Sequence, residues 1–118
     1  MKLFSWPVFI GTAVSIAAMS CAEHDIPLVV ECLNNEEISY ASDVKPIVET
    51  VCTGCHNGSI GADRNWLVFS NFQNHASEVR RRVTLPSDHP DHMPRGGSLS
   101  SDEIQTIICW VDQGAQNN

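Results

Sequence analysis

Apolar residues recur at helical spacing in three stretches of this chain. Val44, Ile47, Val48 and Val51 share one face of a helix predicted over residues 43–51. Asp43 is its candidate N-cap, and Pro46 falls in the first turn, where a missing N–H costs little. Phe72, Ala76, Val79 and Val83 give a second helix over residues 72–83, which closes on Arg80-Arg81-Arg82. Ile104, Ile107, Ile108 and Val111 form the stripe of a last helix over residues 101–113. Ser100 with Glu103 makes a capping box at its start, and Gly114 suits its end. Trp110 has enough surface to pack across onto the first helix. Residues 57–71 and 85–99 carry the Gly, Pro, Asn and Asp of loops, interrupted by the short apolar run Trp66-Leu67-Val68-Phe69. There are no internal repeats and no sustained heptads.

The N-terminus follows a different pattern. Lys2 precedes an uncharged stretch over residues 3–19 and small residues around Ala17, Ala18 and Ser20, which reads as a secretory signal over residues 1–20. Three routes are open. Ala18-Met19-Ser20 loosely fits a signal-peptidase site. Ala18-Met19-Ser20-Cys21 also resembles a bacterial lipoprotein signal, in which Cys21 becomes the lipidated first residue, and this route is favoured. An uncleaved anchor is disfavoured by the short run and by Pro7 and Gly11. Each route puts the rest of the chain outside the cytoplasm, in the periplasm for the lipoprotein reading, with membrane association through the lipid. Residues 21–41 are acidic and mixed, an N-terminal tether or an extension wrapped on the domain; residues 42–118 form the domain itself.

Setting aside the first twenty of 118 residues leaves one small domain, and so short a chain buries a low fraction of its surface. A large apolar cofactor at its centre would relieve that shortage. The balance of 7 basic against 14 acidic side chains gives a net charge of −7, and loss of Lys2 makes it more acidic. That argues against nucleic acid as a partner and for a basic docking partner.

Chemistry enters with Cys52-Thr53-Gly54-Cys55-His56. C-x-x-C-H is the attachment pattern of a c-type haem. Two thiols at this spacing can add across the two vinyl groups of one haem, and the adjoining imidazole can bind its iron. The alternatives are a redox dithiol, which would need a βαβ setting that is not visible, and half of a zinc site, for which His89 and His92 are the remaining ligand pair. Of the five cysteines, Cys21, Cys52 and Cys55 are then assigned. Cys32 and Cys109 remain, either as a disulfide from the extension to the last helix or as two separate thiols.

The loop Pro90-Asp91-His92-Met93-Pro94 supplies the second axial ligand. The Met93 thioether is a soft donor suited to haem iron opposite a His, and Pro94 stiffens the backbone beside it. His92, His75 and His89 are the alternatives, as is an open site. The three arginines read either as helix-end charge or as partners for a haem propionate, and the Trp66–Phe69 run as core or as a haem-edge contact.

Taken together, residues 42–115 resemble a small single-haem class I c-type cytochrome. The resemblance is carried by Asp43-Val44-Lys45-Pro46-Ile47 leading into the haem motif, by Met93-Pro94, by Gly96-Gly97-Ser98-Leu99, and by the closing Trp110-Val111-Asp112-Gln113-Gly114-Ala115. It implies an all-α fold, a bundle of about three helices around one haem c held through Cys52 and Cys55, with first and last helices crossing and His56 and Met93 on the iron. It further implies single-electron transfer between a redox-protein donor and acceptor, with no enzymatic activity and no small-molecule substrate. Two departures stand out. Family members hold the proximal His with a proline carbonyl, yet no Pro occurs between His56 and Pro86, so another carbonyl must orient His56. The interval from His56 to Met93 is also short, which implies a trimmed crevice with a more exposed haem edge. The other expectations to weigh are a haem-based gas sensor with a displaceable sixth position, and a fixed haem subunit of a larger membrane redox complex.

Overall fold

The computed structural model describes Cys32 and residues 36–118. The signal stretch, Cys21 and the rest of the extension before residue 36 lie outside the described residues. Among those described the chain is helical and has no strand; one isolated antiparallel bridge joins Asn57 to Asn65.

The N-terminal helix, α1, occupies residues 40–52, three residues earlier than the apolar spacing alone predicts. Its cap is Ser39, not Asp43. The Ser39 hydroxyl accepts the Ser42 N–H, and the Asp43 carboxylate reaches back to the Ser39 N–H at 2.8 Å. Asp43 thus closes a capping pair from inside the first turn. A short α segment, Lys45–Ile47, sits between two wider turns, Tyr40–Val44 and Val48–Cys52. There the bonds run i→i+5, from the Lys45 N–H to the Tyr40 carbonyl and from the Thr53 N–H to the Val48 carbonyl. The Thr50 and Thr53 hydroxyls bond the Pro46 and Glu49 carbonyls one turn back, at 2.7 and 2.8 Å.

The helix expected over 72–83 is two helices, α2 (Phe69–Asn74) and α3 (Ala76–Val83). They break at His75, whose ring Nδ1 bonds the Asn71 carbonyl at 2.9 Å and whose own N–H turns back to Phe72 and Gln73. A side chain that takes an i−4 carbonyl offers the backbone an alternative to the helix, and here the chain turns. α4 (Ser101–Asp112) starts as predicted, with both halves of the Ser100–Glu103 capping box formed. It ends one residue earlier than expected, and Gly114 follows with φ +98°, a conformation that a side chain would strain.

The core has two parts. Val44, Val48, Tyr40, Trp66, Phe72, Ala76, Trp110 and Ala115 form the larger. It is held by aromatic contacts: Tyr40 meets Phe69 edge-on at 4.5 Å, and Trp110 lies 5.6 Å from Tyr40. Trp110 therefore packs on the first helix as its size suggests. Ile47, Val83 and Ile107 form the smaller part, where the N-terminal helix, α3 and α4 meet. Full burial of one side chain such as Phe72 contributes about 1.5–3 kcal/mol.

Residues 36–41 lie against the end of the chain. The Ile38 N–H bonds the Gln113 side-chain oxygen at 2.8 Å, and the Gln113 amide returns a bond to the Glu36 carbonyl. Asn118 accepts the Tyr40 N–H on its side chain and the Ala41 N–H and Ser39 hydroxyl on its carbonyl. Cys32 is bonded to Cys109 of α4, Cα to Cα 5.4 Å, which selects the disulfide from the two readings of these thiols. No helix among the described residues is long and apolar enough to cross a membrane.

Candidate functional site

The wide last turn of the N-terminal helix delivers the motif. Cys52 is its final residue, and the Cys55 and His56 N–H groups both bond the Cys52 carbonyl, at 3.2 and 2.9 Å. One tight turn therefore gathers Cys52, Cys55 and His56. Neither Cys52 nor Cys55 is in a disulfide. They differ in setting: Cys55 is exposed, whereas Cys52 packs against the larger core and burial pushes its thiol up to about 11.

His56 is fixed from the far side of the loop. The Trp66 N–H donates to the His56 carbonyl at 2.9 Å, beside the Asn57–Asn65 bridge. The Trp66 indole lies flat on the imidazole, centroids 4.6 Å apart and planes 10° off parallel. Trp66 is 6% exposed and is itself braced by Phe72 at 5.8 Å and His75 at 5.0 Å. The His56 pKa is lowered, first by burial and then by the nearby charge of Arg64, with Arg82 and His75 adding to it. The Arg64 carbonyl works in the opposite sense by favouring the protonated ring. The buried Nδ1 has no partner in full hydrogen-bond geometry. The net effect keeps the imidazole neutral, the form that binds metal.

Met93 is half-buried, its N–H bonds the Arg82 carbonyl at 3.2 Å, and the Met93–Pro94 peptide that follows is cis. Arg82 acts on both candidate residues: its backbone holds Met93 and its charge is felt at His56. Among the described residues the other histidines are bonded through Nδ1. His92 bonds the Leu85 carbonyl at 2.8 Å, His89 accepts the Asp91 N–H at 3.0 Å, and His75 bonds Asn71 with Asp63 3.9 Å from its Nε2. Among the described residues no three His, Cys, Asp or Glu side chains gather to hold a metal ion, so the zinc reading with His89 and His92 has no ligand set.

The arginine run is neither free charge nor an open anion site. Arg80 reaches Asp112 of α4 at 3.1 Å, Arg81 reaches Glu78 at 2.8 Å and Asp91 at 3.6 Å, and Arg82 reaches Glu78 at 2.6 Å. These pairs tie α3 to α4 and to the Met93 loop.

The residues present fit a covalent haem on three counts. Two unbonded thiols and an imidazole share one turn. The imidazole beside them is held in the neutral form that binds metal. Leu67 and Val68, next to Trp66, are 61% and 45% exposed, an apolar surface that a flat hydrophobic ligand would cover. Of the residues around His56, the sequence offered Trp66 only as core or haem edge and gave no role to Arg64; the bridge that sets both beside His56 is a tertiary feature without a local signal. No protein-family model matches this chain, and no curated protein and no solved structure is similar to it.

Proposed function

We propose that this chain is an extracytoplasmic single-electron carrier with one c-type haem bound covalently through Cys52 and Cys55. The observation that carries this reading is the turn at residues 52–56, which holds two free thiols and a neutral, stacked imidazole within one hydrogen-bonded unit. His56 is the proximal ligand and Met93 the distal one in this reading, within a cytochrome c-like bundle whose first and last helices pack together. When bound, the haem supplies a one-electron redox centre.

The chain's own residues have separable tasks. Burial and the Arg64 and Arg82 charges hold His56 neutral. The ion pairs of Arg81 and Arg82 with Asp91 brace the loop that carries Met93. Leu67 and Val68, both exposed, would give a haem apolar surface to lie on. The acidic surface favours a basic partner protein as donor or acceptor. A secretory signal and a lipid on Cys21 would hold the carrier at a periplasmic membrane surface.

Absorption spectra of protein matured outside the cytoplasm test the reading. The expected result is a low-spin c-type spectrum with the far-red sulfur-to-iron band when oxidised, unmoved by carbon monoxide when reduced. Met93→Ala should abolish that band and admit carbon monoxide. A wild-type spectrum that is high-spin and shifts with carbon monoxide would transfer the protein to the gas-sensor class. Copurification with a membrane complex at high salt would make it a fixed subunit. Absence of haem after competent maturation would end all three.

A further inference from the structure

Resting on the haem reading above, we infer that Trp66 is the positioning residue of His56, and that stacking on a buried indole sets the plane of the proximal imidazole. A metal-bound His ordinarily donates its second ring N–H to an acceptor, which fixes the ring and raises its basicity. Here Nδ1 is buried and unpartnered. Rotation about the last bond of a His side chain is soft, so something else must hold the ring. The stack does so, at 4.6 Å and 10°.

The support is built at both ends. The Trp66 N–H on the His56 carbonyl and the Asn57–Asn65 bridge lock the two backbones side by side. Behind the indole, Phe72 meets it edge-on and His75 lies against it, with His75 tied to Asn71. The imidazole therefore faces a rigid flat wall.

The test uses the full-length haem-loaded protein with Trp66→Leu, Trp66→Phe and, as a control, Ile107→Val, which removes core volume in the smaller cluster away from Trp66. The readouts are the low-spin electron paramagnetic resonance signal of the oxidised protein and its midpoint potential. Trp66→Leu should replace the single signal by a spread of signals and shift the potential, Trp66→Phe should restore one signal, and Ile107→Val should keep the wild-type signature. A Trp66→Leu protein with an unchanged signal and potential would overturn the inference, as would an Ile107→Val protein that scatters the signal equally. Should the wild-type chain take no haem, the function fails separately. The stack is then judged in the unloaded full chain by the upfield ring-current shift of the His56 protons: its presence, and its loss in Trp66→Leu, would sustain the stack, and its absence would refute it.

Discussion

The indole of Trp110 lies nearly parallel to the ring of Phe72, centroids 5.4 Å apart and planes 16° off. Both are essentially excluded from solvent, and the contact joins α4 to α2. The Trp110 N–H is not stranded, because it donates to the Gln116 carbonyl at 2.9 Å. Trp110→Ala would open a cavity and remove the bond together, and should cost about 3–5 kcal/mol in denaturant unfolding. A loss below about 1 kcal/mol would mean that the aromatic cluster is not the core.

The bond between Cys32 and Cys109 spans 77 positions. Closing so long a loop restricts the unfolded chain, and its removal should destabilise by about 2–5 kcal/mol. Cys32→Ser with Cys109→Ser should show that loss. Denatured, unreduced wild-type protein should yield no thiols from this pair, and two titratable thiols there would contradict the pairing.

The two motif thiols should react unequally in a chain produced without haem. Burial holds Cys52 near 11, against an ordinary value of 9.0, so its thiolate fraction at neutral pH falls about a hundredfold. Cys55 is exposed. Iodoacetamide should label Cys55 first and Cys52 slowly, with Cys52 labelling climbing until about pH 11. Equal rates in the folded chain would show that Cys52 is not packed against the core.

Glu78 makes a pH-dependent contribution. Hydrogen bonds from Arg81 and Arg82 hold its carboxyl down to about 2, from an ordinary 4.5. A depressed folded-state pKa adds stability that is fully present above 4.5 and is lost as pH falls toward 2. Glu78→Gln should be the less stable protein at pH 6, with the gap to wild type closing between about pH 4.5 and 2 in thermal melts. A gap that stays constant over that window would show that the pair does not act. The group is exposed, so the effect is modest and should shrink with added salt.

How far the sequence reached follows from what kind of signal each element carries. α4 was legible to within a residue because its capping box and apolar stripe are local, and its first turn needs nothing from the rest of the chain. The start of the N-terminal helix was displaced because Asp43 looks like a cap in sequence yet serves Ser39 from one turn inside. The break at His75 depends on a ring nitrogen finding the Asn71 carbonyl, which no apolar period encodes. In the site, the spacing of Cys52, Cys55 and His56 was readable because one turn carries all three. The stack of Trp66 on His56 was not, since it arises only when Asn57 and Asn65 pair across the loop. The Cys32–Cys109 pair was one of two options until the two residues were brought within 5.4 Å.

Residues 36–41 meet Gln113 and Asn118 at the first turn of the N-terminal helix, while Cys52 and His56 leave from its last. Thirteen residues separate the two, about 15–20 Å of rod. On the proposed reading the molecule would have a mooring end and a working end. A pull arriving at Cys32 would pass into Cys109 and the tail contacts before it reached the N-terminal helix, at the end opposite His56.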